Sequence, residues 1–192
     1  MKIGVLGLQG DVREHVHLLE GAGAAPLVVK RAEELADVQG LVIPGGESTT
    51  IGKLLDRFDL LEPLRERARA GMPLYGTCAG LILMATEVAG DQDAPHRIGV
   101  LDVTVRRNAY GRQVDSFETD LDVEGLDDPL RAVFIRAPVI ERAGADVEVL
   151  ARHRERPVLV RQGPHLASSF HPEIAGDVRV HSMFVEMVKV SS

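Results

Sequence analysis

The single cysteine of this 192-residue chain stands between two glycines, in Gly76-Thr77-Cys78-Ala79-Gly80. The stretch around it, Met72–Ala85, reads as a short apolar strand (Met72, Leu74, Tyr75), a tight turn and an apolar helix opened by Leu81, Ile82, Leu83 and Met84. Glycine, any residue, nucleophile, any residue, glycine between a strand and a helix is the form of a nucleophile elbow, here with cysteine where hydrolases carry serine. Such a turn strains its middle residue, and side chains at the flanking positions would collide with the strand or the helix. It sets the thiol at the positive end of a new helix, which favours thiolate. It also presents backbone N–H groups beside the sulfur, ready for an oxyanion. A lone cysteine is otherwise most often a small buried hydrophobe; strand, elbow and helix in this order make Cys78 a candidate nucleophile.

Two further groups complete a constellation. In His171-Pro172-Glu173 the proline forces an extended connection and removes one backbone donor. Glu173 can then turn back and accept a hydrogen bond from the imidazole. Cys78, His171 and Glu173 together have the composition of a nucleophile–base–carboxylate triad, which is recognised by geometry and role and not by chain order. Taken alone, His-Pro-Glu also suits a solvated turn. Pro44-Gly45-Gly46-Glu47-Ser48 follows an apolar strand and precedes a helix. Its glycines leave backbone N–H groups uncovered, so this loop is a natural second oxyanion donor, while Ser48 alternatively serves as a helix cap. No metal is expected: His15 and His17, two apart on a helix, point to different sides.

The elements that must position these groups follow from apolar runs and breakers. Lys2–Leu8 is an apolar first strand, and Asp11 with Glu14 resembles a capping box for the helix that carries Val12, Val16, Leu18 and Leu19. Strands are expected at Leu27–Val29 and Gly40–Ile43, and helices at Ala32–Ala36, from Ser48 or Thr49 to about Leu55, and over about Leu60–Ala70. This alternation predicts a parallel sheet with both faces covered, its strand ends bringing the Pro44–Ser48 loop to the same edge as the elbow. The second half changes character. Val100–Val105 and Gln113–Thr119 look like a hairpin around the basic loop Arg106–Arg112, and Val147–Ala151 pairs with Val158–Arg161 across the charged turn His153–Arg156. Ala132–Ile135 and Val139–Ile140 flank Arg136-Ala137-Pro138, Leu166–Phe170 runs into His171, and Asp177 caps a last helix, Val178–Val190. Gly4, Gly7 and Gly10 are spaced G-x-x-G-x-x-G, which is not the dinucleotide fingerprint, and Lys30-Arg31 stand where its acidic residue is needed.

Composition narrows the function classes. A formal charge of −7 argues against a general nucleic-acid binder, and 45% hydrophobic residues fit a globular chain. One cysteine excludes an internal disulfide and suits a reducing, cytoplasmic setting. No run of about 18 apolar residues suggests a membrane span, and the N-terminus lacks the pattern of a signal peptide.

The motifs Pro44–Ser48, Tyr75–Gly80 and Phe170–Glu173, in this order, resemble class I, triad-type glutamine amidotransferases. More narrowly, Gly7-Leu8-Gln9-Gly10, Arg107–Gln113, Ile135-Arg136-Ala137-Pro138 and Ser169–Glu173 resemble the glutaminase subunits of pyridoxal 5′-phosphate synthases, over essentially the whole chain. The resemblance implies one domain over residues 1–192, α/β and flavodoxin-like, in three layers: a mixed, mainly parallel sheet with helices on both faces. It implies hydrolysis of L-glutamine to glutamate and ammonia by Cys78, His171 and Glu173. Backbone N–H groups of Gly46 and Ala79 would form the oxyanion hole, and Gly46, Glu47, Ser48, Arg107, Ile135 and Arg136 would contact glutamine. No cofactor is implied. The implied partner is a (β/α)8-barrel synthase subunit that takes up the ammonia. Gln9, a polar residue at the active edge, is a candidate for coupling to that partner. A γ-glutamyl hydrolase, a cysteine peptidase or an inactive regulatory module are the rival readings.

Overall fold

The computed structural model describes residues 1–91, 95–107 and 116–191. Side-chain alternation along its first strands sorts the apolar residues onto two faces. In β1 (Lys2–Leu6), Ile3 and Val5 turn to one core and Leu6 to the other; in β3 (Gly40–Ile43), Val42 joins the first and Leu41 and Ile43 the second. β4 (Leu74–Thr77) divides likewise, with Tyr75 on one side and Leu74 on the other. The Tyr75 core is closed by α1 (Val12–Gly21) through Leu19, and by α7 (Arg179–Ser191) through Val180, Phe184, Val185 and Val188. The Leu74 core is closed by α2 (Ala32–Ala36), α3 (Ser48–Arg57), α4 (Leu61–Arg69) and α5 (Ala79–Met84). Helix, sheet and helix make the three layers.

With β2 (Ala25–Val29), β10 (Glu148–His153), β11 (Arg156–Gln162) and β12 (His165–Ser168), the main sheet has seven strands in the order β10-β11-β12-β4-β3-β1-β2. Strands β2, β1, β3, β4 and β12 run parallel, the doubly wound 2-1-3-4-5 order; β11 and β10 extend it antiparallel. After β1 the chain crosses to β2 on one side and then to β3 on the other. The loops leaving β1 and β3 therefore meet at the switch point, where α/β sheets bind ligands.

A three-stranded sheet of β5 (Ala85–Val88), β6 (Leu101–Arg106) and β9 (Val139–Ala143), and a pair of β7 (Ser116–Leu121) and β8 (Leu130–Ile135), complete the chain. This corrects the expected hairpin. β6 pairs parallel with β5 and antiparallel with β9, and β7 pairs with β8, so the segments beginning at Val100 and Gln113 belong to different sheets. Of the basic loop expected over Arg106–Arg112, Arg106 ends β6 and Arg107 follows it, and residues 108–112 lie outside the described residues. The β10–β11 hairpin forms as expected, around Arg154 and Glu155 at φ +46° and +65°. Positive φ at both central residues is what a hairpin turn matching the strand twist demands. Two caps also differ from expectation. Asp11 makes no capping bond to α1, and α3 is capped by Glu47, not Ser48, its carboxylate accepting from the N–H groups of Thr49 (2.9 Å) and Thr50 (2.7 Å). Among the described residues no helix is long and apolar enough to cross a membrane.

Candidate active site

The elbow is built as its glycines require. Cys78 sits between β4 and α5 at φ +49°, ψ −98°, a conformation disfavoured for a residue with a side chain. Gly80 lies so close to the carbonyl of Ile43 that a β-carbon there would collide with it. A β-carbon at Gly76 would stand 2.6 Å from the Gly80 carbonyl carbon. The Cys78 N–H donates to the Ser168 carbonyl at 2.8 Å, pinning the turn to the end of β12.

His171 follows the next loop after β12 and precedes α6 (Pro172–Ala175), with Pro172 at the first helical position, where its missing N–H costs nothing. The His171 N–H donates to the Val133 carbonyl of β8 at 2.8 Å. The short helix turns Glu173 back beneath the ring, and His171 Nδ1 meets Glu173 Oε1 at 2.7 Å, with the Glu173 side chain fully buried. The Nδ1 bond leaves Nε2 for the thiol. Burial works against charge on His171, but hydrogen bonds to Cys78 and Glu173 outweigh it and raise its pKa from 6.5 to about 10. Burial likewise opposes ionisation of Glu173, yet hydrogen bonds from His15 and His171 hold its carboxyl well below the ordinary 4.5. Together these favour an imidazolium–carboxylate pair over two neutral groups.

Cys78 and His171 open onto a cavity of about 480 Å3. Gly46, Glu47, Ser48, Arg107, Ile135 and Arg136 all line it, and so does Gln9. Arg107 is steadied by Asp91 (3.2 Å) and by Thr49 Oγ1 (3.2 Å), and Arg136 is held at φ +42°. Glu47 is committed elsewhere: its carboxylate caps α3 and its N–H donates to Gln9 Oε1 at 2.9 Å. That last bond joins the β1 and β3 loops. Gly46 between them is at φ +153°, which glycine alone adopts without strain, and a β-carbon there would stand 2.7 Å from Gln9 Oε1.

Four residues that sequence reasoning did not assign to the site belong to it or support it. Ile82 and Ile174 line the cavity. Asp11, read as a helix cap, also lines the cavity, with ligating atoms of Asp11, His171 and Glu173 all within 4.8 Å of one another. Burial and the charge of Glu173 raise its pKa. His15 is fully buried against Thr77 and Glu173. One signal was available for it: Val12, His15, Val16 and Leu19 occupy positions i, i+3, i+4 and i+7, so His15 interrupts an apolar stripe.

The depressed pKa of Glu173 has a measurable sign. A carboxyl held below its unfolded value contributes stability that is present above about pH 4.5 and is lost as pH falls. The melting temperature of wild type relative to Glu173→Gln is therefore expected to hold level from pH 6 to about pH 5 and to fall from there to pH 3. A difference that stays constant over that range would show that Glu173 is not held ionised in the folded state.

The chain matches the SNO glutamine amidotransferase family over residues 5–190. It is 63% identical over 189 residues to a protein of Parafrankia sp. (strain EAN1pec), covering 98% of this chain and 93% of that one. It is 60% identical to a protein of Mycobacteroides abscessus, covering 97% of each. Both bear the name pyridoxal 5′-phosphate synthase subunit PdxT. A crystal structure described as a glutamine amidotransferase superposes with a TM-score of 0.93 at 52% identity, covering 97% of this chain and 98% of that one. Fold, elbow geometry and these likenesses agree: the chain is a member of the SNO glutamine amidotransferase family.

Proposed function

We propose that this chain hydrolyses the side-chain amide of L-glutamine and delivers the ammonia to a partner subunit of pyridoxal 5′-phosphate synthase. One observation carries the reading. A single cavity gathers Cys78 and the His171–Glu173 pair with the Gly46 loop and two arginines, Arg107 and Arg136. Cys78 thiolate attacks the amide carbon, and the oxyanion is received by the N–H groups of Gly46 and Ala79, each such donor worth about 3 kcal/mol. The imidazolium of His171 gives its proton to the departing nitrogen, which leaves as ammonia. Water, deprotonated by His171, then attacks the glutamyl thioester and frees glutamate and the thiolate. Glu173 holds the Nδ1 tautomer throughout. Arg107 or Arg136 pairs with the substrate α-carboxylate through two hydrogen bonds. In this reading the partner is a (β/α)8 barrel, and both work in the reducing cytoplasm.

The partner also acts on rate. The bond from the Glu47 N–H to Gln9 Oε1 fixes the segment carrying Gly46, so Gln9 is where docking can redirect the oxyanion donor. Ammonia release from free glutamine is expected to be weak for the isolated subunit and strong in complex with the synthase. Gln9→Ala is expected to cut the stimulated rate about a hundredfold, the scale of one oxyanion donor. Equal rates with and without synthase remove the coupling, and stimulation that survives Gln9→Ala removes Gln9 from it. Hydrolysis of glutamyl peptides in preference to free glutamine supports a γ-glutamyl hydrolase or peptidase. No ammonia under any condition leaves a regulatory module.

A further inference from the structure

Behind the carboxylate of Glu173 lies a buried polar row that the proposed reaction does not use. His15 of α1 and His181 of α7, 166 residues apart, are both fully buried, and His15 Nδ1 meets His181 Nε2 at 2.8 Å. On its other side, His15 Nε2 stands 3.3 Å from Thr77 Oγ1 and 3.5 Å from Glu173 Oε1. Thr77 is the residue before the nucleophile, and Glu173 Oε1 is the oxygen that His171 Nδ1 engages. One imidazole edge thus touches both the root of the elbow and the acid of the triad. Burying two histidines here is costly unless their nitrogens are satisfied, and hydrophobic side chains would fill the same stripe of α1 more cheaply.

Hydrogen-bond bookkeeping sets the protons. Ionised Glu173 accepts only, so His15 Nε2 carries the proton that faces it. In neutral His15, Nδ1 is then an acceptor, and the His181 Nε2–H donates to it. His181 Nδ1 is left as a bare lone pair, and this is the ring atom found buried without a partner. The opposite polarity would bury an unpaired N–H, a donor the native interior rarely leaves orphaned. Burial pushes the pKa of His181 down to about 3, in keeping with a neutral ring at the far end.

We propose that His15, oriented by His181, is a positioning residue: its Nε2–H holds the Glu173 carboxylate ionised and aimed at His171 Nδ1, and ties that carboxylate to Thr77 at the base of the elbow. The proposal rests on the reading of Cys78, His171 and Glu173 as a triad. The groups facing this row are Asp11 from the β1–α1 loop, Tyr75 and Thr77 from β4, His171 and Glu173 from the α6 segment, and His181 from α7, itself near Asp177. Loss of the His15 donor lets Glu173 take up a proton at higher pH. The imidazolium of His171, and with it the thiolate, is then less well held.

The test uses His15→Leu, His15→Gln and His181→Phe. For each, kcat and KM for ammonia release are measured in complex with the synthase, and the rate of Cys78 alkylation by iodoacetamide is followed against pH. Folding is checked by circular dichroism and melting. His15→Leu is expected to lose about tenfold to a hundredfold in kcat, the scale seen when groups supporting a reactive centre are removed, with KM little changed. Its alkylation curve moves to higher pH by about half a unit or more. His15→Gln, whose amide N–H can replace Nε2–H, recovers most of both. His181→Phe shows a smaller loss in the same direction. A folded His15→Leu with kcat within about twofold of wild type, or one whose kcat falls while its alkylation curve stays put, overturns the proposal. Should His15→Leu fail to fold, an unshifted curve in His181→Phe overturns it. If the wild-type complex releases no ammonia, the glutaminase reading fails, and the alkylation curves still decide the role of His15.

Discussion

Cys78→Ala is expected to abolish ammonia release, by at least about 10^4-fold, while leaving the fold intact. Removing the nucleophile of a triad costs nearly as much as removing the whole triad. No second thiol exists in the chain to replace it. The fold should tolerate the change because alanine keeps the β-carbon and the backbone bond from residue 78 to the Ser168 carbonyl, and because only one buried sulfur is lost. Cys78→Ser is expected to be almost as inactive, since a hydroxyl beside His171 gives up its proton far less readily than a thiol. A glutamine analogue carrying an electrophile should label wild-type Cys78 and nothing in either variant, as read by peptide mass spectrometry. Activity in Cys78→Ala above about 1% of wild type would mean that another group attacks the amide.

How far the sequence led depends on whether a feature is local. Each parallel strand of the first half is a short, mainly apolar run, closed by Gly7 after β1, Lys30-Arg31 after β2, Pro44 after β3 and the elbow after β4, so β1 to β4 could be read without knowing their partners. The elbow is local too, for Gly76 and Gly80 are required by contacts of the same strand, turn and helix and of the adjacent β3. Strand pairing in the second half is not local. The alternation in Val100–Val105 and in the segment from Gln113 tells which face is buried, not which strand lies alongside, and the nearest strand in sequence was the wrong choice.

Asp11 shows a second kind of failure. Asp11 with Glu14 satisfies the capping pattern, but its carboxylate faces the cavity. His15 shows a third: its partner His181 lies 166 positions away, and only the packing of α1 against α7 joins them. Arg107, Ile135 and Arg136 carry no local motif of their own. They were expected at the site through family resemblance, and β6 and β8 deliver them to the cavity wall.

The remaining large effect separates the two partners of Cys78. His171→Asn is expected to be at least as damaging as Glu173→Gln, with the histidine variant about tenfold to a hundredfold the slower. In the proposed reaction His171 moves the proton in both half-reactions. Glu173 moves no proton. Glutamine at 173 can still offer an oxygen to His171 Nδ1–H, so the tautomer survives while the charge that supports the imidazolium is lost. The site narrows this gap, because the Glu173 side chain is fully buried and its lost charge is not replaced by water. Burial also makes the glutamine variant more costly than an exposed acid would be. With its oxygen in the place of Oε1, facing both His171 Nδ1 and His15 Nε2, its N–H2 takes the place of Oε2, a buried atom with no hydrogen-bond partner. Steady-state ammonia release in complex with the synthase, for both variants at several pH values, decides the order. Glu173→Gln should lose most of its residual rate at alkaline pH, where wild-type His171 still holds its proton below about pH 10. A Glu173→Gln variant clearly slower than His171→Asn across that range would assign the proton transfer to Glu173 and leave His171 as the residue that orients it.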